Sequence, residues 1–167
     1  FIAWSLFLFI GDYVLPKDQE VQNFSYPSIL NCSIYVNLPI LFCLIFLVVS
    51  VFGTSPIWYV EGLYTLFEID FIQTVGTFTI LDQVSIIFQT TLLIGILGTV
   101  PGHELTHRKQ NKFDMFVGNW MLAFSWDCTF AIEHVYGHHR DVCLEEDPAS
   151  AKRGESIYLF VIRASIL

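Results

Sequence analysis

The sequence predicts an all-α fold, an integral-membrane helical bundle, and three observations predict it. More than half of the 167 residues are apolar (54%), only 14% are charged, and mean hydropathy is positive, a balance that belongs to membrane proteins rather than soluble globules. Two long stretches, residues 21–60 and 83–102, carry no charge at all. Of the eight Lys and Arg, only Lys17 precedes position 108, a one-sided distribution typical of loops on the cytoplasmic face of a membrane.

The elements follow in order. Phe1 to Ile10 is apolar, with neither an initiator Met nor a basic lead-in, so it reads as the tail of a membrane helix rather than a signal peptide. Within the first charge-free stretch, Val36 to Phe52 is interrupted only by Asn37 and Ser50, with Pro39 near its start. Its length suits ~30 Å of hydrocarbon at 1.5 Å per residue. Residues 54–82 carry Glu61, Glu68, Asp70 and Asp82 but no Lys or Arg, as expected of a far-side loop with Trp58 and Tyr59 at an aromatic belt. Gln83 to Gly102 is the second spanning candidate and runs directly into a histidine cluster. Asp114 to Ile132, interrupted by Asp127, joins His107 to His134 across only 26 residues. Two crossings need about 40 residues, so this segment is expected to be an interfacial or partly buried helix. Arg140 to Glu155 reads as a loop, with Asp147-Pro148 opening a turn or helix start and Glu145, Glu146 and Asp147 available to Lys152 and Arg153. Ile157 to Leu167 begins another apolar helix. Residues 1–167 are thus expected to be a fragment of one membrane domain, cut at both ends.

Composition also narrows the function classes. A net charge of −8 argues against a nucleic-acid surface. Cys32, Cys43, Cys128 and Cys143 show no C-x-x-C spacing, which points to packing residues rather than a zinc ribbon or disulfide framework.

All five histidines fall into two clusters, His103-Glu104-Leu105-Thr106-His107 and Glu133-His134-Val135-Tyr136-Gly137-His138-His139. On an α-helix, residues i and i+4 share a face, so His103 with His107 and His134 with His138 can each converge on a metal. His139 points about 100° away and could reach a second ion. Imidazole suits iron, zinc, copper or nickel. The first cluster also spells H-E-x-x-H, compatible with a membrane zinc peptidase using Glu104 as base, although three more histidines oversupply one tetrahedral zinc. A metal transporter is a non-enzymatic alternative, but its ligands belong at mid-bilayer.

H-E-x-x-H followed by E-H-x-x-G-H-H resembles the first two histidine boxes of the membrane-bound fatty acid desaturase and hydroxylase superfamily. The continuation Arg140-Asp141-Val142, Glu146-Asp147-Pro148-Ala149-Ser150-Ala151 and Gly154-Glu155-Ser156-Ile157-Tyr158 is similar to the alkane 1-monooxygenase (alkane hydroxylase) branch, over roughly residues 102–158. The resemblance implies a six-helix membrane bundle with two non-haem irons. It implies a rubredoxin-type electron donor, O2, and hydroxylation of the terminal carbon of medium-chain n-alkanes, in a bacterial inner membrane with the boxes facing the cytoplasm. It assigns iron ligation to His103, His107, His134, His138 and His139, with no catalytic residue beyond the ligands. Glu104 and Glu133 would orient imidazoles from behind, direct ligation by either staying open. A fatty-acyl desaturase or hydroxylase, or a xylene-type monooxygenase, shares these boxes. No histidine follows His139, and five imidazoles are too few for two irons, so further ligands are expected from outside this chain. Apolar faces such as Phe88 to Leu97 and Met121 to Phe130 are channel candidates. Arg108, Lys109, Lys112 and Arg140 could dock an acidic electron carrier or contact lipid phosphates.

Overall fold

The computed structural model describes residues 2–16, 24–53, 58–68 and 70–166. Lys17, the side chain of Glu61, and the chain ends Phe1 and Leu167, on which parts of the sequence reading rest, lie outside the described residues. Every regular element among them is helical. The chain divides into two compact units, Phe1–Leu30 and Asn31–Leu167.

The first unit holds α1 (Ile2–Val14), a short, mostly apolar helix that also carries Ser5 and Asp12, with Trp4 stacked on Phe7 one turn on. Near its end begins α2 (Pro27–Tyr35), where Pro27 opens the first turn, a position that needs no N–H.

In the second unit, α3 (Asn37–Phe52) follows α2 after a turn at Val36. Pro39 explains the interruption, because it has no N–H to offer the carbonyl of Tyr35. Residues 54–82, expected as a loop, contain two short helices, α4 (Trp58–Phe67) and α5 (Phe71–Gly76). Asp70 caps α5 by accepting from the Gln73 N–H, and the Tyr59 hydroxyl donates to the Phe46 carbonyl of α3. A reciprocal Thr79/Asp82 capping box then starts α6 (Ile80–Ile94).

A single π-helical turn, Gly95–Thr99, joins α6 to α7 (Val100–Thr106). Pro101 accounts for the widening, since it cannot bond the carbonyl four residues back and its ring crowds that group. Pro27–Phe52 and Ile80–Thr106, of 26 and 27 residues, are long and apolar enough to cross a membrane. The protein is an all-α membrane bundle, as the sequence predicts.

The 26-residue connection between the histidine clusters folds back through α8 (Lys112–Ala123), capped by Asn111, whose side-chain oxygen accepts from Phe113 and Asp114. It lies partly buried, as expected of a segment too short to cross twice. Val117 and Met121 of α8 join Leu41 and Leu105 in the core. A Cβ on Gly118 would stand 3.0 Å from the Gly102 carbonyl, and one on Gly102 would stand 3.1 Å from the Gly118 carbonyl. The backbones of α7 and α8 touch there, the small-residue packing by which helices associate in lipid. Beyond α8 come α9 (Phe130–Ile132), a second π-helical turn over Glu133–His138, α10 (His139–Asp141) and α11 (Ile157–Ile166).

Candidate metal centre

The close packing of α7 on α8 fixes the end of α7, and with it the first pair of imidazoles. Leu105 and Thr106 are fully buried, and the Thr106 hydroxyl donates to the His103 carbonyl at 2.7 Å. Arg108 donates to Asn31 at 2.8 Å and pairs at 3.5 Å with the buried carboxylate of Asp114, which also accepts from Tyr35. The Arg108 guanidinium is therefore used within the fold, tying α2, α7 and α8 together. Arg140 is bonded to its neighbour Asp141, and Lys109 lies over the Tyr136 ring.

The second cluster arrives on the π-helical turn. The His139 N–H bonds the His134 carbonyl five residues back, so winding is wider than α and positions i and i+5 share a face. That changes the pairing expected from α-helical spacing. His134 and His139 come together, their Nε2 atoms 3.1 Å apart. His138, expected beside His134 on a shared ion, stacks 5.4 Å from it ring to ring and turns Nδ1 toward Asp147 at 2.7 Å.

Four imidazoles converge across the two elements. His103 Nε2 lies 2.7 Å from His134 Nε2 and 3.0 Å from His107 Nε2, and ligand atoms of His103, His107 and His134 all lie within 4.8 Å of one another. Phe130 packs against the group, stacked on His134 at 4.6 Å and edge-on to His103 at 5.4 Å. Each Nε2 carries one hydrogen or one lone pair. Such a chain of three contacts cannot be satisfied by linear hydrogen bonds, because His103 and His134 each face two partners. A cation would relieve this by drawing the lone pairs to itself, and the imidazoles grouped closely enough to be candidates for one ion are His103, His107 and His134. Ligand nitrogens about 2.1 Å from a metal stand about 3.0 Å apart at right angles, so the spacing fits a metal.

The protonation states suit that role. Burial, then the neighbouring imidazoles of His103 and His139, pushes His134 down to about 4, so its lone pair is free at neutral pH. The same causes lower His107.

Neither Glu104 nor Glu133, the carboxylates expected behind the imidazoles, is hydrogen-bonded to an imidazole among the described residues. Glu104 is exposed and faces Arg108 at 4.0 Å, and Glu133, also exposed, borders a cavity of about 480 Å³ beside His134 and His138. Among the described residues it is Asp147 that bonds an imidazole. Asp147 is buried, and the turn expected at Asp147-Pro148 is present, with Asp147 Oδ1 accepting from the Ala149 N–H. Its other oxygen serves His138 and the Ser150 hydroxyl rather than Lys152 or Arg153. The Ser150 hydrogen bond, against the opposing effect of burial, holds the Asp147 carboxyl below its usual range. A carboxylate nine residues beyond His138 was a visible signal, but its direction was not. The channel candidates also divide, since Met121 is fully buried in the core and Phe124 packs on Phe42.

Comparison with known proteins agrees with the motif. The chain is 50% identical over 62 residues to an alkane 1-monooxygenase of Ectopseudomonas oleovorans, a match covering 37% of this chain and 15% of that protein. It is 27% identical over 170 residues to alkane 1-monooxygenase 2 of Alcanivorax borkumensis, covering 98% of this chain and 41% of the relative, and 30% identical to an alkane 1-monooxygenase of Acinetobacter baylyi over 62% of this chain and 27% of the relative. The chain thus spans well under half the length of these curated relatives. No family model and no solved structure matches it. With its paired histidine motifs and a resemblance running through nearly its whole length, the chain is similar to the alkane 1-monooxygenases.

Proposed function

We propose that this chain forms part of an iron-dependent alkane 1-monooxygenase, hydroxylating the terminal carbon of medium-chain n-alkanes. The observation that carries the reading is the convergence of His103, His107, His134 and His139 in a chain whose relatives bear that activity in their names. His138 is proposed as a ligand of the second iron. Iron held there would supply the oxidising power that side chains lack. One oxygen atom of O2 enters the terminal C–H bond and the other leaves as water, with two electrons from a rubredoxin-type donor and two protons.

This chain's residues hold the imidazoles in register, and Phe130 covers one side of the cluster with an apolar ring. The one-sided placement of Lys and Arg supports an orientation with the histidines toward the cytoplasm, and the bacterial sources of the relatives support an inner-membrane location. Membrane lipid then covers the apolar helices, and no nucleic acid is involved.

Membranes containing the full-length protein, supplied with n-octane, ¹⁸O2 and a reduced rubredoxin, are expected to yield 1-octanol carrying ¹⁸O. A desaturated acyl chain without ¹⁸O would instead assign the site to the desaturases, and peptide cleavage dependent on Glu104 and zinc would assign it to the metallopeptidases.

A further inference from the structure

The segment between α10 and α11 is organised around one buried carboxylate. The Cys143 N–H donates to Ser150 Oγ at 2.7 Å, the Ser150 hydroxyl donates to Asp147 Oδ2 at 2.6 Å, and the same oxygen faces His138 Nδ1 at 2.7 Å. The Asp147 side chain is only 2% exposed and that of His138 25%. Because an ionised carboxylate only accepts hydrogen bonds, the nitrogen facing it must carry the proton. The single remaining lone pair of His138 is then on Nε2.

The turn is held from outside by Arg163 on α11. Its guanidinium donates to the Pro148 carbonyl at 3.0 Å, to the Ser150 carbonyl at 2.9 Å, and to both oxygens of Glu155 at 2.8 and 2.9 Å. Glu155 in turn accepts from the Lys152 N–H. This planar, forked set of bonds is one that lysine cannot reproduce.

We propose that Asp147 is the positioning residue for His138, fixing Nδ1 as the protonated nitrogen so that Nε2 offers its lone pair to the metal, and that Arg163 locks the turn carrying it. The proposal rests on the reading of His138 as a metal ligand. Removing a hydrogen-bonded partner behind a ligating imidazole typically weakens metal binding about 10- to 100-fold.

The test measures the Fe(II) dissociation constant of the full-length, metal-free protein in detergent under anaerobic conditions, by competition with a chelator. Thermal midpoints of the metal-free proteins are recorded in parallel. Asp147→Asn and Asp147→Ala are expected to bind Fe(II) about 10- to 100-fold more weakly than the parent, and Arg163→Lys to fall between them and the parent. The midpoint of Asp147→Asn should stay near the parent's, because the amide can still close the turn. Asp147→Asn that binds Fe(II) as tightly as the parent overturns the proposal, and it decides alone if Asp147→Ala fails to fold. Loosened iron in His138→Ala but not in Asp147→Asn removes the positioning role and leaves the ligand reading intact. Parent-like affinity in His138→Ala defeats both.

Discussion

His103 and His134 are separated by 31 positions in the chain, yet their Nε2 atoms stand 2.7 Å apart. The contact joins the end of a membrane-length helix to a π-helical turn reached only after the chain has folded back through α8. It makes His134 the common neighbour of His103 and His139, and so the residue on which convergence depends.

His134→Ala is therefore expected to cost the centre more than the loss of one outlying ligand. The full-length variant should lose at least half of its bound metal and all measurable hydroxylation, with its helical content unchanged by circular dichroism. Metal content equal to the parent's would place the metal elsewhere.

The touching backbones of α7 and α8 set a second expectation. Because a Cβ on Gly118 would meet both the Gly102 carbonyl and Leu105 Cβ at 3.0 Å, Gly118→Leu must push the helices apart. Overpacking of this kind costs about 1–3 kcal/mol, read as a lower thermal midpoint in detergent. Since α7 carries His103 and His107, metal affinity should fall with it. A variant with the parent's midpoint and affinity would show that the helices pack with room to spare.

The Arg108 network predicts a stability role for a residue whose sequence context suggested docking. Arg108→Ala leaves the Asp114 carboxylate buried with Tyr35 as its remaining side-chain donor, a loss of about 1–3 kcal/mol. Lys109→Ala, at a neighbouring but exposed position, should change stability by less than about 0.5 kcal/mol. Equal midpoints for the two variants would remove the structural role of Arg108.

Glu155 gives a pH dependence with a definite sign. The Arg163 guanidinium, then the Lys152 N–H, holds its carboxyl at about 2 against an ordinary value of 4.5. A depressed carboxyl stabilises the fold above the unfolded value, and that contribution fades as pH falls from 4.5 toward 2. The midpoint difference between the parent and Glu155→Gln should be full at pH 6 and shrink steadily below pH 4.5. A difference independent of pH would mean that the carboxylate charge contributes nothing.

Much of this was legible in the sequence because hydropathy and histidine spacing act locally. The charge-free stretches mark both membrane-length helices, and the count of residues between His107 and His134 rules out a double crossing. The π-helical turn at Glu133–His138 was not legible, because an α-helical period is assumed wherever none is specified, and one extra residue per turn moves His139 beside His134 and His138 away. The roles of Gly102, Gly118 and Asp147 were equally hidden. A glycine's spacing value depends on which helix faces it, and a carboxylate's direction depends on the fold of its loop. The helices α4 and α5 were missed because an acidic stretch without Lys or Arg reports the side of the membrane and not its secondary structure.

The most direct check is the metal content of the full-length protein, purified in detergent, beside a variant with His103, His107, His134 and His139 all changed to Ala. About two irons per chain in the parent, and a loss of at least one of them in the variant, is the expected result. One zinc per chain, or iron retained in full by the variant, would contradict the assignment of these four imidazoles to an iron centre.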